Sequence, residues 1–315
     1  MSEFNYGGQA LIEGVMMRGK NSLAMAVRKP EGDIVCRLEK IESISTKYKF
    51  FKWPFIRGTV ALVESLVLGI KALTFSANEA AEDEEEELSK KDLAISIVVA
   101  LGLGILLFFV TPAALAHLLK SRVPSGFWQN ALEGGMRIGI FLAYVIGISV
   151  LKDIKRVFQY HGAEHKTIFA YESGEELSVE NCRVHTTLHP RCGTSFLLIV
   201  MVISILFFSL FQIDTIWWRL LSRIIFLPVI AGISYEFLKF TGKYIDHPLV
   251  KIISWPGLML QKITTKEPDA AQLEVAIAAL KRVLEEDGVL EKCTTEAEGK
   301  ESDLNLELEL KAENV

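Results

Sequence analysis

Cysteine is scarce: four in 315 residues (Cys36, Cys182, Cys192, Cys293), scattered without paired spacing, so no disulfide framework is legible. There is no basic patch, which removes the electrostatic footprint of a nucleic-acid binder. The formal charge of −5 comes mostly from EDEEEE (82–87) and the stretch from Glu285 onward. Nucleophile elbow, phosphate loop and dinucleotide fingerprint are all missing. The opening MSEFNYGGQ also lacks the basic-then-apolar build of a cleaved signal peptide. What the chain has in excess is apolar residues: 50% are hydrophobic and mean hydropathy is +0.30. They are concentrated in runs, the pattern of an integral membrane protein.

Residues 1–50 read as a cytoplasmic β region. QALIEGVMM and LAMAVRKP are apolar runs joined by the turn-like RGKNS, and IVCRLEKIES alternates as a third strand. Over 51–80, Trp53, Pro54 and Phe55 resemble an interfacial start. Glu64 and Lys71 interrupt the following apolar run, which predicts an amphipathic helix on the membrane surface rather than a span. Residues 81–92 form an acidic linker. Residues 93–240 hold four expected spans, at 93–119, 136–151, 196–211 and 223–238. Residues 241–287 make a cytoplasmic segment with a helix capped by Asp269, and 288–315, acidic and aromatic-free, are expected to be disordered. The fold class is thus an α-helical polytopic membrane protein with a small N-terminal β region and a cytoplasmic C-terminal helix.

Charge orients it. The 152–193 loop carries six basic residues (Lys152, Lys155, Arg156, Lys166, Arg183, Arg191), while the 112–135 loop carries two. The positive-inside rule places that loop and both termini in the cytosol, in a multi-pass protein of the cell membrane whose first partner is the bilayer. Cytosolic redox keeps Cys182 and Cys192 reduced and available to a metal.

The segment 152–174 is expected to continue the second span as one helix ending at Ser173–Gly174. It contains YHGAEHKTI, an H-x-x-E-H pattern. His161 and His165, one turn apart, can grip a single Zn²⁺, and the Glu164 carboxylate can act as general base. Downstream, Cys182, His185, His189 and Cys192 crowd one eleven-residue stretch of the same loop, all of types that zinc prefers. The pattern also has a plain explanation, since histidines are common at membrane interfaces. Glu236, within an apolar run, is either a further ligand or a snorkelling carboxylate.

GGQALIEGVMMRG, YHGAEHKTI, HPRCGTSFLL, LPVIAGISYE and PGLMLQKITTKEPDAAQLEVAIAAL together resemble the YqhQ-like family of bacterial membrane proteins. That family is of unknown function and is labelled "predicted metal-dependent enzyme". The resemblance carries over His161, Glu164, His165, His189 and Cys192; Cys182 and His185 rest on spacing alone. It adds Gln9, Glu13 and Arg18 as substrate or structural polar residues, for which the polar face of a hairpin is sufficient explanation. Two readings follow: a membrane-embedded zinc hydrolase, or a non-catalytic scaffold for membrane-protein assembly or homeostasis, stapled by a closed metal site and docking a membrane-protein partner. A transporter is disfavoured because the expected spans show no paired intramembrane charges.

Overall fold

In the computed structural model, which describes residues 6–41, 49–81, 90–123, 126–210, 215–245 and 247–290, the glycine-flanked first run is two strands, not one. β1 (Gly7–Leu11) and β2 (Gly14–Arg18) turn back on each other at Ile12–Glu13, where Glu13 takes a left-handed φ of 48°. β3 (Ser22–Arg28) and β4 (Ile34–Lys40) complete an antiparallel meander in the order β1-β2-β3-β4. The expected three strands are therefore four. The apolar run hid the turn because it lacks a proline or an Asn-Gly pair.

Successive side chains alternate between the two faces, and both faces are covered. Leu11, Met16, Leu23 and Met25 pack against Ala72 of helix α1 (Ile56–Glu79). Val15, Met17, Ala24 and Ala26 pack on α5 (Lys152–Glu172) and α11 (Ala270–Glu286). Asp269 caps α11 as expected, in a reciprocal capping box with Gln272. Leu273 and Leu280 of α11 are fully buried, each contributing roughly 1.5–3 kcal/mol. The β region is thus the middle layer of a helix–sheet–helix sandwich.

Three helices are long and apolar enough to cross a membrane: 56–79, 91–118 and 127–148. The first is α1, whose charges are paired with the sheet: Glu64 lies 3.6 Å from Arg18, and Lys71 lies 2.5 Å from Glu39. The second is α2 (Lys90–Ile105), which runs through a π turn at Leu106–Val110 into α3 (Thr111–Leu118). The third is α4 (Phe127–Ile148). It stops short of α5: Leu151 is extended, with ψ 135°, so the expected continuous helix is two helices with a change of direction between them. α5 then ends near Ser173–Gly174, as its sequence indicated, with Gly174 at φ 75°.

After the short α6 (Val179–Val184) comes α7 (Gly193–Ser209), apolar but only 17 residues long. The expected span at 223–238 is split at Phe226 into α8 (Ile216–Ile225) and α9 (Leu227–Lys243), just ahead of Pro228, which has no N–H to continue the ladder. α10 (Pro248–Thr264) leads into α11. The acidic linker at 82–89 and the tail from 291, including Cys293, lie outside the described residues.

Paired charges, which the expected spans were read as lacking, do occur on the apolar helices. Pro112 deprives the Phe108 carbonyl of its helical donor, and Arg137 Nε donates to that oxygen at 2.8 Å. Arg137 is paired with Glu133 at 2.8 Å, and Arg223 of α8 lies 3.2 Å from the same carboxylate. All three are buried. The sequence concealed the cluster because Arg223 and Glu133 are ninety residues apart.

Candidate metal centre

His161 and His165 project from α5 with their rings 4.5 Å apart, as the four-residue spacing requires. Each turns its Nδ1 to a backbone carbonyl: His161 to Thr264, at 2.9 Å, and His165 to Thr187. A carbonyl oxygen can only accept, so each Nδ1 carries a hydrogen, and Nε2 is the nitrogen each ring can offer to a metal. Carbonyl-oriented imidazoles of this kind are the usual outer support of metal-binding histidines.

Gly162 explains how Thr264 reaches the helix. A Cβ at this position would lie 2.1 Å from the Lys266 carbonyl oxygen, so only glycine admits the 264–266 segment so close to α5. The weak helix former is a packing requirement.

Cys192 caps the N-terminus of α7. Its Sγ accepts from the Thr194 amide at 3.4 Å and sits 3.2 Å from His161 Nε2. His161, His165 and Cys192 each offer a ligand atom, and these atoms all lie within 4.8 Å of one another. Among the described residues this is the one such group of three or more. The donor set fits a borderline-soft ion such as zinc: two imidazoles that present Nε2 and one thiol. The buried Glu164 carboxylate lies 3.6 Å from His165 Nε2 and 3.9 Å from His161 Nε2.

His189 stands beside this group. Its ring is 5.6 Å from that of His165, and the Arg191 amide donates to its Nδ1. Its Nε2 is buried without a hydrogen-bond partner, 3.6 Å from Glu172. Burial alone would raise the Glu172 carboxyl, but His189 and the Arg191 guanidinium hold it below the usual carboxylate range. Gln261 fixes the His189 backbone from both sides, accepting from its N–H and donating to its carbonyl, each at 2.8 Å, and also donates to Ser195.

The structure does not bring the other sequence candidates to this point. Cys182 is fully buried in the core under α11, its thiol pushed up by burial and partly held down by the Thr167 hydroxyl. His185 pairs with Glu175 at 2.9 Å and stacks on Phe169. Glu236 grips the Arg57 guanidinium through both oxygens and anchors the start of α1. Glu13, at the β1–β2 turn, binds Arg156 through both oxygens and accepts from the Tyr160 hydroxyl, which fastens the sheet to α5. Arg18 pairs with Glu64.

Gln9 does reach the site. A groove of about 460 Å³ opens over the ligand group and is lined by Gly8, Gln9, Glu164, His165, Arg191 and Thr194, among others. Gly8 packs on the acid itself, since a Cβ there would lie 2.9 Å from Glu164 Cγ. Thr187, Thr264, Gln261 and Gly8 were not legible as site residues from the sequence. Their contributions are backbone carbonyls, a buried amide and a missing side chain, none of which has a spacing signature.

A protein-family model described as "Protein of unknown function (DUF1385)" matches residues 53–286. The uncharacterized protein YqhQ of Bacillus subtilis (strain 168) is 37% identical over 293 residues, covering 89% of this chain and 92% of that protein. No solved structure matches. With most of its length aligned to both, the chain belongs to the DUF1385 family of YqhQ-like proteins.

Proposed function

We propose that this is a multi-pass protein of the cell membrane carrying a zinc-dependent hydrolytic site on its cytoplasmic side. His161, His165 and Cys192 are the ligands and Glu164 is the general base. The observation that carries this reading is the pair of Nε2 atoms, each aimed by a carbonyl behind its ring, converging with Cys192 Sγ. Three protein ligands beside an open groove match the requirement of a catalytic zinc site for a vacant position. Zinc, when bound, supplies Lewis acidity at the floor of the groove.

The chain's own residues do the remainder. The buried Glu164 is within reach of a water in the groove and takes its proton; Gln9 and Arg191 offer polar contacts at the rim. Orientation follows from the six basic residues at 152–193, which hold the site at the inner surface. The pairing of Glu64 and Lys71 with the sheet supports α1 lying along that surface, with α2–α3, α4, α7 and the α8–α9 pair forming the membrane domain.

A second reading has one specific observation in its favour. His189 lies against His165 and can turn to close the shell, giving a structural site in a scaffold for membrane-protein assembly or homeostasis. One experiment separates them. In a deletion strain, Glu164→Gln is expected to be present at normal level, to retain about one zinc per chain, and to fail to complement. His161→Ala, His165→Ala and Cys192→Ala lose the metal, whereas Cys182→Ala and His185→Ala keep it. Full rescue by metal-loaded Glu164→Gln ends the hydrolase reading in favour of the scaffold.

A further inference from the structure

The sheet has two edges of opposite character. β4, IVCRLEK, carries three charged residues, the usual protection against unwanted pairing. β1, GGQAL, carries no charge and no proline, and among the described residues no strand pairs with its outer edge. An unprotected edge presents main-chain N–H and C=O groups that call for partners.

This edge runs along the floor of the candidate metal centre. Gly7, Gly8, Gln9 and Ala10 line the groove that holds His161, Glu164 and His165. The same three residues Gly7 to Gln9 line an adjoining cavity of about 240 Å³, floored by Met16 and Leu68 and ending at Arg18. Ser65 of α1 borders both, so one trough follows β1 past the ligand group. The strand begins with two glycines, and nothing lies within 4 Å of where a Gly7 Cβ would stand, so the sheet face there leaves room for the side chain of an added strand.

We infer that β1 is a docking strand for an extended peptide, which adds to the sheet edge and is laid across Glu164 and the His161–His165–Cys192 group. Main-chain bonds hold the peptide at about 4.8 Å from β1. Its side chains point alternately toward the Met16–Leu68 cavity and toward the histidines, so the substrate class is an unfolded polypeptide segment with an apolar residue on the α1 side. Extended peptide is the occupant because only a backbone offers donors and acceptors at the strand's own repeat. Cleavage rests on the hydrolytic reading above; docking does not.

The test uses the full chain in lipid nanodiscs carrying Glu164→Gln, so that binding is read without turnover. A fluorescein-labelled fragment pool of β-casein, a disordered protein, is titrated by anisotropy, and the tightest fragment is resynthesised in two forms, N-methylated on one or the other alternate set of residues. One set is expected to weaken binding about tenfold, by losing the amides that face β1, and the other to leave it nearly unchanged. Gly7→Trp, which the open space lets fold, is expected to weaken the unmethylated fragment comparably. No saturable binding, or equal effects of the two methylated sets, overturns the inference. Zinc retained without peptide docking refutes it alone; docking without zinc refutes only the hydrolytic reading.

Discussion

His161 and Thr264 stand 103 positions apart in the chain, yet the Nδ1 of the first lies 2.9 Å from the carbonyl oxygen of the second. The site on α5 is therefore only as well aimed as the end of α10 is well placed. Gln261, one turn before Thr264, holds that end against His189 and Ser195 through three hydrogen bonds. Gln261→Leu keeps the volume and removes the bonds. We expect zinc affinity to fall by about 10–100-fold with all three ligands intact, as measured by chelator competition. Unchanged affinity would show that the support is dispensable.

Gly162→Ala tests the closeness of that approach. The new methyl group meets backbone rather than a flexible side chain, so α5 and the Lys266 segment must part. We expect a loss of about 1–3 kcal/mol, seen as earlier thermal unfolding of the helix–sheet–helix sandwich. A helix-propensity gain alone would move the midpoint the other way, by up to ~1 kcal/mol.

Acid should act through Glu172. Its carboxyl is held below the usual range in the fold, so the native state binds its proton less readily than the unfolded chain. The stabilisation is complete above the unfolded value and is lost as the pH falls through the lower, folded one. Wild type is therefore expected to melt above Glu172→Gln at neutral pH, with the gap closing in acid. A gap that widens on acidification contradicts the assignment.

Orientation can be read by labelling. With native cysteines replaced, Ser121→Cys, between α3 and α4, should react with a membrane-impermeant maleimide from outside intact cells. Ser173→Cys, at the end of α5, should react only after lysis. The opposite pattern inverts the topology.

What the sequence shows well are features carried by neighbours along the chain. The spacing of His161 and His165, the Asp269 cap and the end of α5 at Gly174 all depend on residues within a turn or two. What it hides depends on distant partners or on backbone. Cys182 and His185 have ligand-like spacing, but α6 turns the thiol into the core and leaves the imidazole to Glu175. The Glu133–Arg137 pair lies within one helix, but its meeting with Arg223 is invisible because that residue sits on a separate helix ninety positions away. The break at Phe226 lies within an apolar run and the one at Leu151 at the end of another, and hydropathy records no change of direction at either.

The order of synthesis gives the sandwich a further meaning. β2 and β3 rest on α11, so the earliest elements of the chain to leave the ribosome find their permanent cover in the last one described. Until residues 270–286 emerge, Val15, Met17, Ala24 and Ala26 lack the cover of α11, and a nascent chain holds that apolar face partly open while the intervening apolar helices are made. Closure of so long a loop is slow compared with local helix formation. The Thr264 carbonyl that aims His161 arrives in the same late stretch. Completion of the His161–His165–Cys192 group is thereby coupled to completion of the chain, and a chain stopped before residue 264 has strands, apolar helices and histidines but no assembled centre.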